Sequence, residues 1–206
     1  MNVTEAIVML IEAELKQLSV KDDQFAVMGY LNMGVLELHK RFPIWKETAT
    51  ITMVEGTTRY KLDGIDANVT IDLSDHDVLF IEEVLDDEDE PMSLNDDKDS
   101  LGAMTPKPHI LDIPVPVLTG DIKVGYRASP KFMTLETDII PIPPQFYEAL
   151  FNYVGYRGHG SVKGDIKSEN NTHYMRFEKS CNLIDMKGLR SPDSLHSHKF
   201  IDRGFV

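Results

Sequence analysis

Cysteine is nearly absent: Cys181 is the one thiol in 206 residues. That excludes an intrachain disulfide and a four-cysteine zinc site. Cations are also scarce, at 21 Lys+Arg against 34 Asp+Glu, for a net charge of -13. An acidic body repels phosphates, so a sequence-specific DNA reader of the usual basic kind is not expected. No apolar run approaches the roughly 18 residues of a membrane span, and no membrane partner is expected. The N-terminus MNVTEAIVMLIEAEL lacks a positive start and carries Glu5, Glu12 and Glu14 in its apolar pattern. It is not expected to be a secretory signal.

Apolar residues make up 42% of the chain, enough for a core. Charge is unevenly placed. Residues 1–156 hold 12 Lys+Arg and 28 Asp+Glu, whereas 157–206 hold 9 and 6. The end of the chain is thus mildly basic, which suits an acidic protein partner.

Helical periodicity opens the chain. Ile7, Val8, Ile11, Leu15 and Leu18 recur at three- and four-residue steps over 4–18, with Thr4 as candidate N-cap. After a short break, Asp22 or Asp23 can cap a second helix through Phe42. Its expected face is Phe25, Met28, Leu31, Val35, Leu38 and Phe42, and Pro43 ends it. Gly29 and Gly34 each cost about 1 kcal/mol relative to Ala, which close helix approach would offset.

Period two follows. Residues 48–54 alternate, Glu55–Thr58 make a turn, and Arg59–Leu62 resume alternation, which reads as a hairpin. Val78–Leu85 is a second strand, the acidic run Asp86–Glu90 a turn, and Met92–Leu94 its return. His109–Ile113 and Gly120–Ala128 are further strands, and 95–108 reads as a surface loop. Prolines 106, 108, 114 and 116 confine their neighbours to edges or loops.

Helix signals return where Pro143-Pro144 introduce Gln145–Tyr156. Gly158, Gly160 and Gly164 are expected to interrupt it. Asp165 or Ser168 can cap a last helix to Met186, with face Tyr174, Phe177, Cys181 and Ile184. Gly188 suits its C-terminal cap. The expected fold class is α+β: a helical bundle of N- and C-terminal helices (1–45 and 141–187), an inserted antiparallel β domain (46–140) and an extended C-terminal tail (188–206).

Catalytic and cofactor chemistry finds no foothold. The acidic stretches fail calcium-loop spacing, because Leu101 stands where an oxygen ligand is needed and no closing Glu is in register. His196-x-His198 has no third ligand at metal spacing. Gly158-His159-Gly160 lacks a phosphate-loop fingerprint and reads as a hinge. Cys181 sits in an apolar helical pattern as a small core residue. No catalytic residue, metal site or cofactor is expected, and the chain is not read as an enzyme.

Phe42–Thr50 (FPIWKETAT), then Glu55-Gly56-Thr57 and Tyr60–Asp63, resemble the tail adaptor proteins of short-tailed bacteriophages, also called head-to-tail connector or neck proteins. Ile142-Pro143-Pro144 and Tyr147-Glu148-Ala149-Leu150, followed by Tyr153 and Tyr156-Arg157, match their Pro-Pro helix opening. The helix–β–helix order resembles theirs over nearly the whole chain, while 102–119 and 188–206 match nothing in it.

The resemblance implies a structural virion protein, assembled in the host cytoplasm and residing in the tail or neck. It implies a homo-oligomeric ring, usually a dodecamer, that docks on the portal protein and extends the DNA channel. The ring offers a platform for tail nozzle and tail fibre proteins, and double-stranded DNA passes through during genome ejection without sequence-specific binding. In such relatives the C-terminal segment reaches along the portal or a neighbouring subunit. The expected partner-binding residues here are Leu195, Phe200, Ile201, Phe205 and Val206 as apolar anchors, with Arg190, Lys199 and Arg203 pairing to acidic groups. Three rivals remain at this level, the third being an enzyme, which a screen of generic esterase, glycosidase and phosphatase substrates would reveal. A channel stopper would use the loop 95–119. A β-rich carbohydrate-binding module would need exposed aromatics, for which 46–140 offers Tyr60, Phe80, Tyr126 and Phe132.

Overall fold

A computed structural model describes residues 1–13, 15, 23–114, 120–162 and 169–189. Two compact units are present: Met1–Ile44 with Phe132–Val206, and Trp45–Lys131. The fold class is α+β, as the alternation of periods predicts.

The first unit is helical. Helix α1 spans Val3–Ala13 and α2 spans Gln24–Arg41. A 3-10 turn at Pro144–Phe146 leads into α3 (Tyr147–Val162), and α4 spans Glu169–Met186. All four bury residues in one core, with Leu10, Leu31, Leu38, Phe146, Leu150 and Phe177 among its largest members.

The start of α1 corrects one expectation. Its cap is Asn2 and not Thr4: Asn2 Oδ1 accepts from the Glu5 N–H, and Glu5 Oε2 accepts from the Asn2 N–H. This reciprocal pair satisfies two donors at the open helix end. The Val3 and Thr4 N–H groups donate to the carbonyls of Asp138 and Glu136, so segment 132–140 completes the helix start.

Helix α2 is capped by Asp23, whose carboxylate accepts from the Ala26 N–H at 3.0 Å. Its buried stripe is Val27, Leu31, Gly34, Val35, Leu38 and His39. Phe25, expected on that stripe, is 81% exposed. Gly34 lies where a Cβ would come within 2.5 Å of Leu150 Cδ1, so this glycine lets α3 approach. Gly29 has nothing within 4 Å, and close approach does not explain it.

Helix α3 runs through Gly155, Gly158 and Gly160, so the expected interruption and hinge at 158–160 are absent. Tertiary packing overrides weak glycine propensity here. A Cβ at Gly155 would come within 3.0 Å of the His173 ring, and the rings of His159 and His173 stack at 4.5 Å. Gly164, the third expected point of interruption, and the expected capping positions Asp165 and Ser168 lie outside the described residues. Tyr174, expected on the buried face of α4, is 43% exposed, while Phe177, Cys181 and Ile184 are buried. Gly188 ends α4 at φ +68°. The Leu189 N–H reaches the Ile184 carbonyl and the Gly188 N–H that of Asp185, the paired bonds of a left-handed glycine cap.

The second unit holds two antiparallel sheets. Strands β1 (Lys46–Thr52), β3 (Val69–Thr70), β4 (His76–Leu85) and β7 (Asp121–Pro130) form one, in the order β3-β1-β7-β4. Strands β2 (Arg59–Lys61), β5 (Met104–Lys107) and β6 (Ile110–Asp112) form the other, in the order β2-β6-β5. The expected hairpin of 48–54 with 59–62 does not exist. β1 pairs with β7 over Lys46↔Arg127 to Thr52↔Asp121, and β2 pairs with β6. Both sheets contribute to one core, including Ile51, Tyr60, Leu111, Val124 and Tyr126.

Residues 95–108 are not simply a loop, since they contain β5. Pro106 is tolerated because β5 is an edge strand. The turn Asp86–Glu90 is as expected, and the Met92 N–H returns to the Val84 carbonyl.

Candidate assembly surfaces

Among the described residues, Cys181 and several turn carboxylates are engaged in structure. Cys181 is fully buried on α4, and burial pushes its thiol up to about 12. Asp86 Oδ1 accepts from the Glu88 and Glu90 N–H groups, and Asp89 pairs with Lys123 at 2.6 Å. Asp96 and Asp99 accept from the Lys98 and Leu101 N–H groups. These are side-chain-capped turns. Among the described residues no cluster of three or more His, Cys, Asp or Glu could hold a metal ion. His196 and His198 lie outside them.

Carboxyls with displaced pKa values are displaced downwards. The Arg59 guanidinium holds Asp112 low, and the Arg41 guanidinium holds Glu178 low. At Glu82 burial is the largest influence and acts upwards. Bonds from Lys46 and Arg127 outweigh it, and the carboxyl ends low. Each shift traces to a structural partner.

The aromatics that a sugar-binding face would need are occupied. Tyr60 and Tyr126 are buried. The Tyr126 hydroxyl lies 2.8 Å from His76 Nε2, and Trp45 packs on His76 at 4.8 Å. Arg127 covers the Phe80 ring at 4.6 Å. Phe132 is exposed but belongs to the helical unit. A stopper loop at 95–119 loses its free length, because 104–107 and 110–112 are paired strands.

The helical unit exposes several large apolar side chains. Met175 and Met186 on α4 are 66% and 82% exposed, and Leu183 and Tyr174 lie nearby in sequence. Tyr153, Tyr156, Tyr174 and Phe177 form a chain of ring contacts across α3 and α4. Val8 and Met9 on α1, and Leu135 and Ile139, are also open to solvent. Exposed Met, Tyr and Arg are the side chains enriched where proteins meet. Sequence periodicity placed Val8 and Tyr174 with the buried stripe and gave no signal for Met9, Met175 and Met186, which lie off it.

The expected partner-binding residues Arg190, Leu195, Lys199, Phe200, Ile201, Arg203, Phe205 and Val206 all lie outside the described residues.

Charge divides by unit. Trp45–Lys131 holds 19 Asp+Glu and 8 Lys+Arg, and so carries 11 of the 13 net negative charges. The β unit is therefore the acidic body.

Among curated proteins no match to the chain is found. A family model does match, covering the helices, both sheets and the first residues after Gly188. With residues 1–195 matched by the model of the SU10 adaptor protein, the chain belongs to that family of phage adaptors, and its role is structural.

Proposed function

We propose that the chain is a ring-forming head-to-tail adaptor. It docks on the portal, continues the DNA channel, and provides the platform for the tail nozzle and fibres. The observation that carries this reading is the family match over 1–195. The ring is a dodecamer in the virion neck. The discontinuous helical domain is the ring-forming part, and the C-terminal segment supplies the contact to the portal.

Two features support the reading. The β unit concentrates negative charge, and a like-charged surface lets passing DNA slide rather than stick. The helical unit exposes Met, Tyr and Leu side chains suited to subunit contacts. Arg190, Leu195, Lys199, Phe200, Ile201, Arg203, Phe205 and Val206 are the proposed portal contacts. Aromatic and aliphatic anchors there would bury apolar area, and the three cations would meet acidic groups.

The test is mass measurement and ring imaging of the purified chain, alone and mixed with the portal of the same genome. A defined collar on the portal is expected. A chain indifferent to the portal would remove the reading. Deleting 189–206 should leave the helical signal intact and weaken portal binding, and unchanged affinity would remove the role given to that segment.

A further inference from the structure

Helices α3 and α4 flank an open cleft of about 470 Å³. Phe151 and Leu183 supply its apolar lining, and Arg176 and Lys179 its cations, with Glu148 as the one acid. Asn152 and Ser180 also line it, and they satisfy one another at 3.2 Å. The cations are different. Both residues are exposed, and neither makes an ion pair among the described residues. A cleft that is part apolar and part cationic calls for an acidic segment.

The chain contains such a segment as a hydrogen-bonded turn. Asp86–Glu90 is five consecutive acids at the end of β4. The Asp86 N–H donates to the Glu90 carbonyl and the Asp89 N–H to the Asp86 carbonyl, with Asp89 at φ +63°. Asp86 is engaged by its own turn and Asp89 by Lys123. Asp87, Glu88 and Glu90 are exposed, with no ion pair among the described residues. A turn already held in shape loses little entropy on docking.

We propose that the α3–α4 cleft of one copy receives the acidic turn 86–90 of a second copy. Charge favours this pairing over alternatives. Two β units side by side would oppose -11 to -11, whereas the rest of the chain holds 13 Lys+Arg and 15 Asp+Glu. A contact between unlike surfaces is also head-to-tail, the kind that repeats around a closed ring. This contact rests on the ring reading above and names the surfaces that build it.

The experiment mixes full-length chains carrying ¹⁴N and ¹⁵N, alone and with the portal of the same genome, and applies a zero-length carbodiimide. Peptides joining Lys179 to Asp87, Glu88 or Glu90 with mixed isotopes are expected. Arg176→Glu with Lys179→Glu should cut their yield and the assembly affinity roughly tenfold, and Asp87→Lys with Glu88→Lys added to that variant should restore assembly. Circular dichroism checks that the variants fold. A collar that forms on the portal with same-copy links only, or one indifferent to the reversals, overturns the contact and leaves the adaptor reading standing. Absence of any collar removes the adaptor reading. Absence of mixed links in the chain alone as well overturns the contact too.

Discussion

Arg41, the last residue of α2, and Glu178, near the middle of α4, form a two-pronged ion pair across the helical unit. Nη1 lies 2.7 Å from Oε1 and Nη2 2.9 Å from Oε2. Arg41 also lies over the Phe177 ring at 5.9 Å. Both partners are partly exposed, so the pair ranks with good surface pairs and not with buried ones.

Glu178→Gln should therefore cost about 1 kcal/mol at neutral pH. The sign of its pH dependence follows from the lowered pKa of Glu178, caused chiefly by the hydrogen bonds from Arg41. The stabilisation is fully present above the unfolded carboxyl value of about 4.3. It is lost as pH falls through the folded value. Urea unfolding followed by helical circular dichroism should show the gap between wild type and variant closing in acid. A gap that persists there would contradict the pairing.

Two glycines of α2 should respond oppositely to alanine. At Gly29 nothing lies within 4 Å, so Gly29→Ala should stabilise by about 0.5–1 kcal/mol through helix propensity. At Gly34 the new methyl would meet Leu150 at 2.5 Å and Tyr153 at 3.0 Å. Overpacking costs about 1–3 kcal/mol and exceeds the propensity gain. Gly34→Ala should lower the melting temperature and Gly29→Ala should raise it.

His76 and Tyr126 are both buried and hydrogen-bonded at 2.8 Å. Tyr126→Phe leaves the His76 nitrogen without that partner and should destabilise the β unit by about 1–3 kcal/mol. Burial first, then the charges of Glu47 and Asp72, push the Tyr126 phenol up to about 12. Its contribution is whole below the unfolded value of about 10 and falls as pH rises towards 12. Trp45 packs on His76, so tryptophan fluorescence reports this unit. Alkaline destabilisation in that window should be weaker in the variant.

Cys181 should be nearly inert while the chain is folded. A thiol at about 12, against an ordinary 9.0, has roughly a thousandfold less thiolate at pH 8. Labelling with a disulfide reagent should be slow in buffer and complete within seconds to minutes in denaturant. Rapid native labelling would show that the α4 core opens easily.

Local patterns were legible because their causes are local. The three-to-four spacing of Leu31, Val35 and Leu38, a cap at Asp22 or Asp23 and Pro43 as stop place α2 within a residue. Gly188 ends α4 because a left-handed residue without Cβ satisfies the last carbonyls. The same spacing put Phe25 on the buried face, yet at the second position of α2 it reaches solvent. The apolar outward residues Met175 and Met186 carry no period of their own.

The amino-acid sequence by itself determined the α+β class, the stops of α2 and α4, the acidic balance and the adaptor family, since each depends on composition, near neighbours or motif order. Strand partnership belonged to the tertiary structure. Alternation says which side chains are buried but not which strand lies alongside, so Thr52 meets Asp121 and not the nearby Arg59. Tertiary packing also carried α3 through its glycines, and it set Phe151 beside Leu183 in the α3–α4 cleft. Those outcomes depend on contacts between residues distant in the chain, where burial outweighs local propensity.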